Sequence, residues 1–193
     1  MVKPKKQRIE LGGAVPLASQ HFVSGLEQAA FNSRTSLARG DFYADGTEGL
    51  ILGVSGGSSA GNIYLFTELD ALGPDLSSAA LILTDPVSNG LGSSILFLPE
   101  FDDVGGPVIA AGAPDDDLVN ESAGAIYLFF LDAAADELLL RRTVRVQSTV
   151  AGAAAGVGLA CFESPDAWSE LLIAAEGIDG VNAGVWQLEQ VGE

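Results

Sequence analysis

Apolar residues along this chain form short runs, each bounded by glycine, proline, serine or aspartate. The clearest runs are LILGV (50–54), VIAAG (108–112) and IYLF (63–66 and 126–129). Such runs are typical of β-strands that are covered on both faces. The segment TVRVQ (143–147) instead alternates, with Val144 and Val146 on one face, which indicates an outer strand with one face in water. Long helical periodicity is absent, so the pattern predicts an all-β fold.

One stretch of the sequence occurs more than once. AGNIYLF (60–66) returns as AGAIYLF (123–129), and a weaker version, AGVWQLE, stands at 183–189. Strand-like segments upstream of each copy also correspond, and the spacings between corresponding positions lie between 59 and 66 residues. Because independent anchors agree on one period, the chain is predicted to contain three repeats of one structural unit.

Each unit has the content of a β-propeller blade. Three buried strands and one half-exposed strand in roughly 60 residues suit blades that stack face to face and meet water only at their outer edges. We therefore predict three four-stranded antiparallel blades, at approximately 25–84, 85–148 and 149–193, preceded by a basic tail at 1–19.

Three blades do not close a propeller ring, which typically needs about four to eight. The third unit ends without an outer strand, whereas QHFVS (20–24) resembles an outer strand that has no unit of its own. We expect residues 20–24 to close a blade of another molecule, so that two chains form a six-bladed ring as a head-to-tail homodimer. The alternative is that another propeller chain, or a missing part of a longer one, completes the ring.

The order of motifs in each unit resembles the FG-GAP repeat of integrin α-subunit propellers and of many bacterial surface proteins. The first unit has Phe31-Asn32, Gly40-Asp41, Gly53-Val54-Ser55 and Gly61-Asn62-Ile63-Tyr64 where the family has Phe-Gly, Gly-Asp, a GAP triplet and a Gly-aromatic strand. The second unit keeps Leu91-Gly92 and a literal Gly112-Ala113-Pro114, and the third keeps Val157-Gly158 but loses the triplet at Glu176-Gly177-Ile178. The resemblance implies an extracellular or cell-surface location.

The same resemblance implies calcium binding at an aspartate-rich turn, through side-chain oxygens and a glycine bend. In the first unit, DFYADGTEG (41–49) supplies Asp41 and Asp45, with Glu48 as a third candidate ligand. Tyr43 and Gly49 stand where the family has oxygen ligands. The second unit has Glu100, Asp102 and Asp103 in an incomplete pattern, and the third offers little. The alternative is an acidic turn that is simply solvated.

Charge narrows the range of partners. The net charge is −17, and residues Lys3, Lys5, Lys6 and Arg8 supply four of the nine basic side chains. So acidic a surface repels phosphate backbones, and nucleic acid is not an expected partner. No apolar run approaches the roughly 18 residues of a membrane span, and no apolar segment typical of a secretory signal follows the basic start. The single cysteine, Cys161, has apolar neighbours and is predicted to be an inert core thiol.

Three motifs that suggest other chemistry are better explained by the repeat. GVSGG (53–57) matches a nucleophile elbow, but a strand follows it rather than a helix, and the single histidine, His21, lies upstream. In RGD (39–41), Arg39 is predicted to lie in a strand and Asp41 in the aspartate-rich turn, so we predict that this tripeptide is not an integrin ligand. The acidic run at 115–117 is predicted to be an exposed loop.

The sequence therefore predicts a non-enzymatic module for protein or glycan interaction or adhesion. The loops SGGSS (55–59) and APDDDLVNES (113–122) would form one binding rim. Two alternatives remain open: a structural subunit of a larger complex, or an excised part of a larger propeller that accompanies a hydrolase.

Overall fold

The computed structural model describes residues 34–56, 61–67, 76–86, 89–99, 101, 106–134, 137–163, 169–175 and 184–188. Within these ranges the chain is all-β, as the sequence pattern predicts. It has eleven strands and one turn of 3-10 helix at Leu76–Ser78.

The strands form three antiparallel sheets in which consecutive strands are neighbours. The first sheet contains β1 (Arg34–Gly40), β2 (Gly49–Ser55), β3 (Asn62–Phe66) and β4 (Leu81–Thr84). The second contains β5 (Ser94–Leu98), β6 (Val108–Ala113), β7 (Ala125–Ala134) and β8 (Glu137–Gln147). The third contains β9 (Gly158–Glu163), β10 (Ser169–Ala175) and β11 (Gly184–Leu188).

The outer strands predicted in the first two units are present as β4 and β8. β8 is longer than predicted, because it begins at Glu137 and continues past a register shift opposite Phe130 and Leu131. In the third sheet β11 has a neighbour on one side only among the described strands. The outer strand predicted at 20–24 lies outside the described residues.

The three sheets stack on one another in chain order. Alternate side chains of β2 and β3, such as Ile51 and Ile63, share a buried cluster with Ile109 and Phe129 of the second sheet. The opposite face of the second sheet shares another cluster with the third sheet, which contributes Leu171 and Ile173. Every residue of β6 is buried, which confirms that its apolar run is covered on both faces.

The first strands of successive sheets lie side by side, with β1 against β5 and β5 against β9. At the first junction the Ser36 hydroxyl donates a 2.7 Å hydrogen bond to the carbonyl oxygen of Gly92. At the second, the Ser94 hydroxyl donates a 2.7 Å hydrogen bond to the carbonyl oxygen of Gly156. Gly92 and Gly156 both have positive φ, at 86° and 89°. The same junction is therefore built twice.

This repetition corrects the predicted alignment of the third unit. The sequence pairs Leu91-Gly92 with Val157-Gly158, but the residue equivalent to Gly92 is Gly156, two positions earlier. Gly92 donates its main-chain hydrogen bond to Gly112, and Gly156 donates the corresponding 3.0 Å bond to Ala174. Sequence alone does not distinguish the two glycines of the stretch GVG (156–158). Of these two, only Gly156 has the left-handed backbone that the junction requires.

Candidate functional site

Two loops at one end of the second sheet form a single surface, here called the loop surface and defined as residues 114–123 and 148–155. Main-chain hydrogen bonds run from Gly152 to Glu121 (2.8 Å), from Ala154 to Ser122 (3.0 Å) and from Ala155 to Ala123 (3.1 Å). The Asn120 amide also donates a 2.7 Å hydrogen bond to the carbonyl oxygen of Thr149. The β6–β7 loop and the β8–β9 connection are therefore held together as one unit.

Asp116 anchors this surface from below. Its side chain is only 1% exposed, and it forms an ion pair with Arg145 of β8. The Tyr127 hydroxyl donates a 3.0 Å hydrogen bond to the carboxylate, and the Leu118 main-chain amide donates another of 3.1 Å. A buried carboxylate is tolerated only when it is paired in this way, so the network fixes the loop on the strands beneath it.

Burial raises the pKa of the Tyr127 hydroxyl above its ordinary value, and the neighbouring Asp116 carboxylate raises it further. Tyr127 is therefore a neutral hydrogen-bond donor at ordinary pH. The Arg145 guanidinium carbon lies 5.7 Å from the centre of the Tyr127 ring, within the range of a cation–π contact. The opposite charges of Asp116 and Arg145 offset each other, so the group is suited to holding structure rather than to transferring protons.

The network belongs to the second unit, and the described residues of the first unit contain no counterpart. Tyr64 holds the place of Tyr127 in the first AG stretch, but its partner on β4 is Ile82, whereas Tyr127 is opposite Arg145. A tyrosine at this position therefore fits the sheet without an acid or an arginine beside it. In the second unit, Asp116 and Arg145 are additional residues that fix the β6–β7 loop.

Above the network, apolar side chains face outward. Leu118 is 48% exposed, Val119 38% and Val150 50%, although each belongs to a loop fixed by main-chain hydrogen bonds. The exposed carboxylates of Asp117 and Glu121 flank them. Part of the predicted rim at 113–122 therefore presents apolar groups with an acidic border.

Asp116 is a functional residue that the sequence did not indicate. The prediction that 115–117 is an exposed loop is wrong for Asp116, because its carboxylate turns inward to Arg145 and Tyr127. Nothing local distinguishes Asp116 from its neighbours. The sequence signal that could have indicated a buried acid nearby is Arg145, because this arginine of the outer strand β8 lies directly opposite Tyr127.

The predicted calcium ligands lie in the turn between β1 and β2. The Asp41 carboxylate accepts hydrogen bonds from the main-chain amides of Asp45 (3.2 Å) and Gly46 (2.7 Å), and Asp45 accepts one from Thr47 (2.7 Å). Gly46 supplies the bend, with φ of 90°.

Glu48, the third predicted ligand, forms an ion pair with Arg39 at 2.9 Å. Accordingly, no cluster of three or more possible metal-ligating side chains is found in the described part of the chain. Asp41 and Asp45 suit calcium by their chemistry, and Glu48 would have to leave Arg39 to join them. Calcium at this turn stays a prediction. Glu100, Asp102 and Asp103 lie outside the described residues.

The remaining motifs carry no visible chemistry. Ser55 of GVSGG is fully buried at the end of β2, and Arg39 of RGD is engaged by Glu48. The prediction that Cys161 is a core thiol is wrong, since it is exposed on the edge strand β9. Apolar neighbours in sequence did not imply burial there. No helix in the described ranges is long and apolar enough to cross a membrane.

No protein-family model matches the chain, and no curated protein sequence matches it significantly.

Proposed function

We propose that this chain is a non-enzymatic interaction module, built as an arc of three FG-GAP-like propeller blades. The observation that carries the proposal is the stacking of three antiparallel sheets with their first strands side by side. The junction that joins Gly92 to Ser36 and Gly156 to Ser94 repeats from one sheet to the next, which supports a regular arc. The resemblance of the sequence to FG-GAP repeats supports the same reading.

The first sheet has an apolar face that points away from the second. A cross-strand row runs from Leu37 through Leu52 and Tyr64 to Ile82. Leu37 and Ile82 at the two ends of the row are 65% and 47% exposed, whereas Leu52 between them is buried in a cluster that includes Leu76. The matching face of the second sheet, which carries Tyr127, is buried against the first sheet. The outward face of the first sheet therefore has the character of a contact between blades.

We propose that a second copy of the chain covers this face head to tail, giving six blades in two chains. Rings of this kind close with about four to eight blades. Residues 20–24 would then pair with β11 of the partner, whose outer side has no neighbour among the described strands. A closed ring would present the loop surface of each chain to a protein or glycan partner, at a cell surface or outside the cell. Calcium at Asp41, Asp45 and Glu48 would stabilise the module.

The test is the mass in solution, measured by sedimentation or light scattering. The chain should have twice its monomer mass of 19.8 kDa. Leu37→Asp should give a folded monomer, because a charge on the contact face cannot be buried without a partner. The matched control is Leu139→Asp, because Leu139 is 49% exposed and belongs to β8 of the second sheet, and this variant should keep the parent mass. A folded parent of 19.8 kDa would contradict closure by a second copy and favour a segment of a larger propeller.

A further inference from the structure

We propose that the basic segment at residues 3–8 docks on the loop surface of the same molecule and covers its exposed apolar side chains. This contact gives the loop surface, whose chemistry the described residues define, one named occupant.

The loop surface has the properties of a docking site. Leu118, Val119 and Val150 are between 38% and 50% exposed, yet the loops that carry them are fixed by main-chain bonds and by buried Asp116. A surface that is ordered before binding loses little conformational entropy when it is covered. Removing its exposed apolar side chains from water would contribute favourable free energy to binding.

Charge narrows the choice of occupant. Asp115, Asp117 and Glu121 belong to the loop surface, and segments 114–123 and 148–155 contain no lysine or arginine. Asp116 is already neutralised by Arg145. An approaching group is therefore favoured when it carries positive charge around apolar residues.

The amino-terminal segment has this chemistry. Lys3, Lys5, Lys6 and Arg8 supply four of the nine basic residues, and Ile9 and Leu11 follow directly. The other described basic residues are the strand arginines of β1 and β8. The other adjacent basic residues beside apolar ones, Arg141 and Arg142, are held within strand β8, whereas the amino-terminal cluster precedes the first strand by 25 residues.

The acidic turn at 41–48 is a weaker competitor. Glu48 is paired with Arg39, and both Asp41 oxygens accept main-chain hydrogen bonds. Its large apolar side chain, Phe42, is buried, so the turn offers no comparable exposed apolar centre. The loop surface is the better match.

The path of the chain permits the contact. Arg34, where β1 begins, pairs with Ser55 at the end of β2, and Ser94 of β5 pairs with Gly112 near the end of β6. The chain thus enters the first sheet at the end that corresponds to the loop surface on the second. Stacked sheets are about 10 Å apart. Residues 9–33, which separate the basic cluster from β1, can span up to about 85 Å when extended.

The test exploits the distribution of amines. Lys3, Lys5 and Lys6 carry every side-chain amine in the protein. A water-soluble carbodiimide, which joins amines to carboxylates in direct contact, should link these lysines to Asp117 or Glu121 in the intact chain, as mapped by mass spectrometry. The yield should not change over a tenfold range of protein concentration. It should fall by at least about threefold at roughly 0.5 M NaCl, where charge attraction is screened.

The double variant Leu118→Ser/Val150→Ser separates docking from simple charge attraction, because it keeps every carboxylate. It should lower the yield of links to Asp117 and Glu121 several-fold. The matched control is Ile82→Ser, another half-exposed apolar residue, which should leave the yield unchanged. Links spread evenly to Asp45 and other exposed acids, a yield that grows with protein concentration, or a double variant equal to the parent would each overturn the proposal.

Discussion

The Tyr127 hydroxyl lies 3.0 Å from the Asp116 carboxylate and joins the buried strand β7 to the loop that carries the exposed apolar side chains. Arg145 approaches the same carboxylate from β8, and its side chain is 23% exposed. Three elements thus meet at one buried charge. We therefore expect the conformation of the loop surface to depend on the contacts of Asp116 with Arg145 and Tyr127.

Loss of Arg145 should be more damaging than loss of the Tyr127 hydroxyl. Arg145→Met leaves a buried carboxylate without its counter-charge and should lower the free energy of unfolding by about 3 kcal/mol. Tyr127→Phe removes one hydrogen bond to the charged Asp116 carboxylate and should cost about 2 kcal/mol. Both values can be measured by urea unfolding at neutral pH.

Tyr64→Phe is the matched control, since Tyr64 is the equivalent residue of the first unit and faces Ile82 instead of an arginine. Among the described residues, its hydroxyl accepts a long hydrogen bond of 3.4 Å from the Asn62 amide. The change should cost less than about 0.5 kcal/mol. Equal losses for all three variants would show that the Asp116 network has no special role.

The raised pKa of Tyr127 predicts a loss of stability in alkali. In the unfolded chain the phenol ionises near pH 10, whereas in the folded chain burial and Asp116 keep it protonated to higher pH. Above about pH 10 the folded state therefore binds more protons than the unfolded state, and the free energy of unfolding falls as pH rises. Below that pH this group contributes no pH dependence.

The fall should approach about 1.4 kcal/mol per pH unit from this one group. Urea unfolding at pH values between about 8 and 11 would measure it, with Tyr127→Phe as the comparison. The variant should lack this part of the slope. An identical alkaline loss in the variant would assign the effect to other groups.

Gly112→Ala should disrupt the junction between the second and third sheets. A Cβ at this position would overlap the carbonyl oxygen of Gly156 and the hydroxyl of Ser94. The carbonyl is main chain and cannot turn aside, so the sheets would have to separate, at a cost of about 3 kcal/mol or more.

The control for this change is Gly46→Ala in the turn after β1. Gly46 has φ of 90°, but no atom lies within 4 Å of the added Cβ. Only the backbone cost of about 1–2 kcal/mol applies. Thermal or urea unfolding that ranks the two variants equally would contradict the close approach at Gly112.

Most strands were predictable because they are short apolar runs and because AGNIYLF and AGAIYLF mark the same strand in two units. The local amino-acid sequence does not determine contacts that depend on distant segments of the chain. Asp116 is buried by Arg145, which lies 29 residues further along the chain. The third unit was misaligned because Gly156 and Gly158 look alike in sequence and differ in backbone conformation. Cys161 was misplaced because burial depends on which strand covers β9, and the letters around it do not carry that information.

The last prediction concerns calcium and the turn after β1. Asp41→Ala should lower the free energy of unfolding by about 1 kcal/mol even without metal, because the Asp45 and Gly46 amides lose their acceptor. Asp41→Asn keeps one acceptor oxygen and should cost less. If calcium binds, it should raise the melting temperature of the parent by mass action, and Asp41→Asn should lose most of that rise because a charged ligand is gone. Glu48→Gln should reduce the rise only if Glu48 leaves Arg39 for the metal. Melting curves of the parent that coincide in added calcium and in chelator would sink the calcium prediction while leaving the metal-free cost of Asp41→Ala intact.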